Sequence, residues 1–296
     1  MSYEWMALTA AACWALGSLI SAPASAHLGA FAFTRWRMAC ASLLLWSLAL
    51  VSGGWQSLPI NQLWLLALSG VIGILIGDTA LFAAMNRLGP RRAGVLFATH
   101  ALFSAMLAYL FLGERIWGWT LIGSGLLISG VMIAILFGKR SSEQHHWETS
   151  SHQFGVGVGL GLLSALCQAV STLMLKPLME TDIDAVAASA VRMSTALVCH
   201  LVLLWAGFQV AKTQQALTGK VLAMVAFNAL LSMGIGMTLI LQALKQGDAG
   251  MVAMLSSVSP VLLVPLLWLV YRRRPAFGAW LGAALTVGGT ILILLH

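Results

Sequence analysis

The sequence predicts an all-α membrane protein, with about ten transmembrane helices arranged as two inverted five-helix repeats. Three observations carry this prediction. Of 296 residues, 60% are hydrophobic and only 8% are charged. Soluble domains carry about 25% charged residues, so lipid has to cover most of this surface. The apolar runs are long and continuous rather than alternating, which argues for helices and against a β-barrel. The two halves of the chain also match each other at a nearly constant offset.

A bilayer core takes about 20 apolar residues per helix. The runs place spans at 5–22, 30–51, 62–83, 92–112, 117–137, 155–174, 184–207, 220–243, 250–270 and 276–295. Breaks fall at Pro23 to Gly29, the basic turn Arg87 to Arg91, Gly113 to Ile116, Lys176 to Asp182 and Arg272 to Pro275, among others. Only the stretch after Phe137 is long and polar. Its KRSSEQHHWETSSHQ composition has no apolar periodicity, so 138–154 reads as a cytoplasmic linker between repeats at 1–137 and 155–296. Ser21 to Ala26 looks like a signal-cleavage site, but the residues before it include Glu4 and no Lys or Arg. The first span is therefore expected to be retained.

The halves match in order. Ala12-Cys13 falls on Leu166-Cys167, Arg37-Met38 on Arg192-Met193, and Gly77-Asp78-Thr79 on Gly236-Met237-Thr238. Gly89 falls on Gly247, and the glycine-rich Gly123 to Gly130 on Gly282 to Gly289. Single matches between apolar runs are weak; their constant order is the signal. Five crossings return the chain on the opposite side, so the second copy is inverted, as in secondary transporters with a cavity at the interface of the halves.

These residues resemble the drug/metabolite transporter superfamily, with two EamA-like repeats. The resemblance rests on Arg35-Trp36-Arg37, Gly77-Asp78-Thr79 with Ala84, Gly113-Glu114-Arg115 and Gly123 to Gly130. In the second half it rests on Ala243-Leu244 with Gly247 and Ala249, and on Ser259-Pro260. Two departures stand out: Arg272-Arg273-Arg274 where Gly-Glu is usual, and Ala101 where a proline is expected. The resemblance implies a secondary transporter exporting a small metabolite, amino acid or drug-like compound by alternating access.

Composition excludes other classes. The net charge of +7 sits in short loops, where it reads as a topology signal and lipid-headgroup contact rather than a nucleic-acid surface. Twelve Lys and Arg fall on the side of the odd-numbered connections and three on the other. The positive-inside rule then puts the linker in the cytoplasm and both termini outside an inner, plasma-type membrane. No Walker A, HExxH or GxSxG motif is present, so no ATP-driven or catalytic role is read, and no cofactor or metal is implied. Cys13, Cys40, Cys167 and Cys199 lie in apolar runs and read as small buried hydrophobes.

Ionisable groups inside a span are costly and need a reason. Asp78 and His100 each lie eleven residues from Gly89, which puts both about 16 Å from the turn. Two readings stand: a proton-coupling or substrate-contacting pair, or separate groups satisfied by neighbouring helices. Arg37, near a span end, is expected to snorkel to headgroups. Arg192 lies deeper and is the better placed to face a cavity and hold a carboxylate. Lys176 reads as an interface anchor. Trp14 and its mate Gln168, Asn228 and Ser232, and Ser256 with Pro260 are further candidates to line a site. The glycines of spans five and ten predict a close seam, between the halves or between subunits of a homodimer. An intramembrane lipid-modifying enzyme, with Asp78 and His100 as acid and base, is the alternative function.

Overall fold

The structure is a computed structural model describing residues 2–114, 117–137, 154–271 and 276–295. The 138–153 linker, Arg115 and Arg272 to Arg274 lie outside the described residues. The described chain is helical throughout and contains no strand. Six helices are long and apolar enough to cross a membrane: Tyr3–Leu28, Ile60–Pro90, Arg92–Leu112, Phe154–Met179, Ala185–Trp205 and Gly219–Leu244. Ala30–Ser52 is of similar length and carries Arg35 and Arg37. The fifth span (Gly118–Leu136), the two-piece ninth (Ala249–Ser256 and Ser259–Tyr271) and the tenth (Phe277–Leu295) contain shorter apolar stretches.

The connections show how the chain alternates. Those after spans one and seven touch: Gln214 N donates to Leu28 O at 3.0 Å, and Arg35 Nη1 to Ala211 O at 2.6 Å. Those after spans two and six touch through Asp184 N and Ser57 Oγ at 2.7 Å. Those after spans four and eight touch through Glu114 and Ala249, and the ring of Tyr3 lies over Gly247. The described odd-numbered connections, after spans one, three and seven, therefore share one face, and the even-numbered connections share the other with the start of the N-terminal helix. The second five-helix unit starts on the face opposite the first, so the repeats are inverted.

Packing follows the same two-fold rule. Span one packs on span eight and span six on span three; span two pairs with span seven. Spans five and ten make the tightest seam, and it joins the halves within one chain. A Cβ on Gly130 would lie 2.6 Å from Gly282 O, and one on Gly289 would lie 2.5 Å from Gly123 O. Each glycine thus admits the other helix's backbone, the small-residue packing that lipid-embedded helices use.

Several span ends differ from expectation. The first helix runs through Pro23 to Leu28, and the sixth runs through Pro177 to Met179. A proline removes one backbone bond from a helix without having to end it, and the packed neighbours hold the rest. The first turn is made by Gly29, whose φ of 84° favours glycine. Gly89 (φ 80°) turns the chain between spans three and four. The fourth span breaks at Thr99 and the ninth at Ser257-Val258, at matching places in the repeats. Ala101 has not spared the first half its break. The Thr99 hydroxyl donates to Leu96 O at 2.6 Å there, a back-bond that bends helices.

Spans three and eight each contain a π-helical segment, Val71–Asp78 and Ala229–Met237, at equivalent positions. Nothing in the apolar pattern marks them. Such segments leave the regular bonding ladder out of register and gather at functional sites.

Candidate functional site

A mostly apolar cavity with a few polar side chains opens beside both π-helical segments. Water centres can occupy about 90 Å³ of it, room for several waters or part of a small molecule. Its walls come from both halves. They run from Trp14, Gln168 and Met237 at mid-span to Pro90 and Gly94 beside the turn after the third span. The cavity therefore reaches the face of the odd-numbered connections.

Asp78 closes the first π-helical segment and is buried beside Arg37, with which it forms a hydrogen-bonded ion pair. Arg37 is 3% exposed, so it does not snorkel. The reason is local. Its guanidinium finds a carboxylate on the neighbouring span and two ring faces, Phe82 at 4.6 Å and Phe33 at 5.8 Å. An arginine with a counter-ion and aromatic cover can remain within the bundle. Arg37 Nε is left without a hydrogen-bond partner among the described residues.

His100 lines the same cavity but does not bond Asp78. Its ring packs on Phe97, 5.0 Å between centroids, and Nε2 has no partner among the described residues. A buried polar atom without a protein partner usually meets water or a ligand. Asn228 Nδ2 donates to Gly17 O at 2.9 Å, while its Oδ1 is likewise free. Trp14 Nε1 donates to Ser232 O at 3.0 Å, satisfying a carbonyl within the second π-helical segment. Ser256, Ser257 and Ser259 line the wall where the ninth span breaks, with Ser256 and Ser257 back-bonding to Ala253 O and Met254 O. Pro260 follows that break in the first turn of the next helix, where the N–H it lacks would have no intrahelical acceptor.

Arg192 is placed differently. It is 1% exposed, lies outside the cavity wall, and donates to Ser69 Oγ (3.1 Å) and Ser171 Oγ (2.9 Å). Met237 stands where its carboxylate partner would be by the repeat, so its only acid by symmetry is missing. Spans three and six instead close over it, with Ser171 Oγ donating to Ser69 O at 3.0 Å. Lys176 is also buried rather than anchored at the lipid interface.

The residue sequence reading passed over is His200. It is fully buried, with Nε2 3.3 Å from Thr79 Oγ1 and its ring edge-on to Phe31. A histidine in mid-span, one helix from the Gly-Asp-Thr stretch, was its only signal. Among the described residues no three His, Cys, Asp or Glu gather to hold a metal ion, and all four cysteines are free.

Comparison with known proteins adds the family. No curated protein matches the chain. A solved structure described as "Crystal structure of protein" is 18% identical, covers 99% of this chain and 96% of its own, and superposes with a TM-score of 0.79, which shows a shared fold. The profile of the EamA-like transporter family matches residues 1–136 and 155–295. The chain belongs to the EamA-like transporter family and is a multi-pass membrane transporter.

Proposed function

We propose that this protein is a secondary transporter of the inner membrane that exports a small metabolite, amino acid or drug-like compound by alternating access, in exchange for protons. The carrying observation is a cavity between inverted halves that holds a buried ion pair, Arg37 and Asp78, and an imidazole, His100, whose Nε2 has no hydrogen-bond partner among the described residues. Groups this costly to bury in a membrane mark substrate and proton pathways. Asp78 and Arg37 offer complementary charges to a permeant, and His100 offers a site that can gain and lose a proton. The aromatic and Met walls, with Trp14, Phe82, Phe97 and Met233, suit an apolar body. Gln168, Asn228, Ser232 and Ser256 supply the few polar contacts that orient it.

The basic face is read as cytoplasmic. Removing the buried Arg35 and Arg37 from its twelve cations leaves ten, and removing Lys176 from the other three leaves two, so the bias persists. The cavity then faces the cytoplasm in this state, and both termini lie outside. The lipid-modifying alternative needs Asp78 and His100 to exchange protons with a substrate, whereas the Asp78 carboxylate is engaged by Arg37.

Proteoliposomes test this reading. With a panel of labelled metabolites, at least one compound is expected to move faster under an imposed pH gradient than without it. His100→Gln is expected to retain flux but lose the gradient response. A wild-type protein that moves none of the panel, or moves it at a rate indifferent to the gradient, contradicts the proposal.

A further inference from the structure

The two faces of the bundle are closed by different chemistry. On the face away from the cavity, three side chains converge on the connection between spans eight and nine. Glu114, just past Gly113 at the end of the fourth span, accepts from Ala249 N (2.8 Å) and Gly250 N (3.0 Å). These are first-turn donors of the ninth span, which no intrahelical carbonyl can satisfy, and a carboxylate suits that helix end. Asp248, at the cap position itself, makes no such bond. Lys176 Nζ donates to Leu244 O at the end of the eighth span (3.0 Å) and pairs with Glu180 at 2.9 Å. The Tyr3 ring occupies the space where Gly247 would carry a Cβ. Spans one, four and six thus grip one short connection.

The inverted repeat shows which of these grips are duplicated. Its offset puts Gly157 at the position of Tyr3, Ala22 at that of Lys176, and Arg273 at that of Glu114. Glycine has no ring, alanine no ammonium, and arginine no acceptor for a helix N–H. The equivalent connection on the cavity face, after the third span, has among its contacts Asn86 Nδ2 on Ser25 O (3.2 Å), Leu88 against Gly157, and the Arg92 guanidinium 5.8 Å from the Phe154 ring centroid. The arginine there lies over a ring, and none of these contacts puts a carboxylate on a helix N-terminus as Glu114 does.

We propose that Tyr3, Glu114 and Lys176 form a latch that holds the far face shut, and that its absence from the other copy sets the resting state, open to the basic face. A bundle with two equivalent ends would open to either side equally. A latch at one end stabilises one opening over its mirror image, and a ligand shifts the balance only through its different affinity for the two. The latch acts through the helix ends it grips, at a distance from the cavity residues.

The test uses the full chain with its four cysteines replaced and Ser18→Cys added as a reporter in the cavity wall. Sealed vesicles of each orientation are treated with a membrane-impermeant maleimide. With the latch intact, labelling is expected from the basic face and to be slow from the far face. Glu114→Ala removes both charge-assisted hydrogen bonds and is expected to raise far-face labelling by at least roughly tenfold, the effect of losing one of them. Glu114→Gln, whose amide oxygen still accepts, should fall between, and Lys176→Met should raise far-face labelling independently. Unchanged far-face labelling in both Glu114→Ala and Lys176→Met, with basic-face labelling retained as evidence of folding, overturns the latch. The readout needs no substrate, so its failure leaves the transport proposal untouched, and failure of that proposal leaves this result standing.

Discussion

Arg37 and Asp78 show what burial in a membrane demands of a single residue. Together they are compensated; apart, each would be an unpaired charge deep in the bundle. Breaking a buried pair by removing one partner costs about 3–5 kcal/mol, whereas replacing both with apolar groups is often close to neutral. Asp78→Asn is therefore expected to lower thermal stability in detergent by about that amount and to abolish transport. The double variant Arg37→Met with Asp78→Leu is expected to recover most of the stability and none of the transport. If the double variant transports, the pair is structural only. Arg192 carries the opposite lesson. Among the described residues it has no ion-paired carboxylate, and it is held on two serine hydroxyls, with Asp78 as a further electrostatic attraction.

At the scale of the element, the repeats conserve contacts while exchanging the residues that make them. Gly17 of the first span meets Ser232 of the eighth, and a Cβ on Gly17 would collide with the Ser232 hydroxyl. In the mirrored place, Gly73 of the third span meets Ser171 of the sixth. Small residue and hydroxyl have changed sides, yet each packs an α-helix against a π-helical segment. The seam of spans five and ten behaves alike, and it makes a sharp prediction. Gly130→Ala drives a methyl into the backbone of Gly282 and Thr286 and is expected to destabilise by about 1–3 kcal/mol. Gly125→Ala on the same helix meets nothing within 4 Å and is expected to be neutral in the same thermal-unfolding measurement. Equal effects would mean that the seam is not closely packed.

For the whole molecule, much was legible because it depends on composition and on order. Apolar runs gave the crossings, and the fixed succession of Gly89 and Gly247, Arg37 and Arg192, and the two glycine stretches gave the duplicated inverted bundle. The cavity-facing set was legible in part, since a polar residue in mid-span has to face somewhere other than lipid. What stayed hidden depends on which helices become neighbours. Arg37 looks like a span-end anchor until span three brings Asp78 to it, and Lys176 until span eight offers Leu244 O. The π-helical segments leave no apolar signature, and Pro23 and Pro177 read as breaks because a lone helix would be weakened there, whereas a packed one is held.

The central claim is that two mirrored units open a shared chamber to one face at a time. It is tested most directly by paired distances between spin labels in reconstituted full-length protein. One pair spans the basic face at Arg87 and Lys220, and the other spans the far face at Trp117 and Gln246. On acidifying the far side or adding a transported compound, the first distance is expected to shorten as the second lengthens. Two distances that stay fixed, or that lengthen together, would contradict alternating access in this protein.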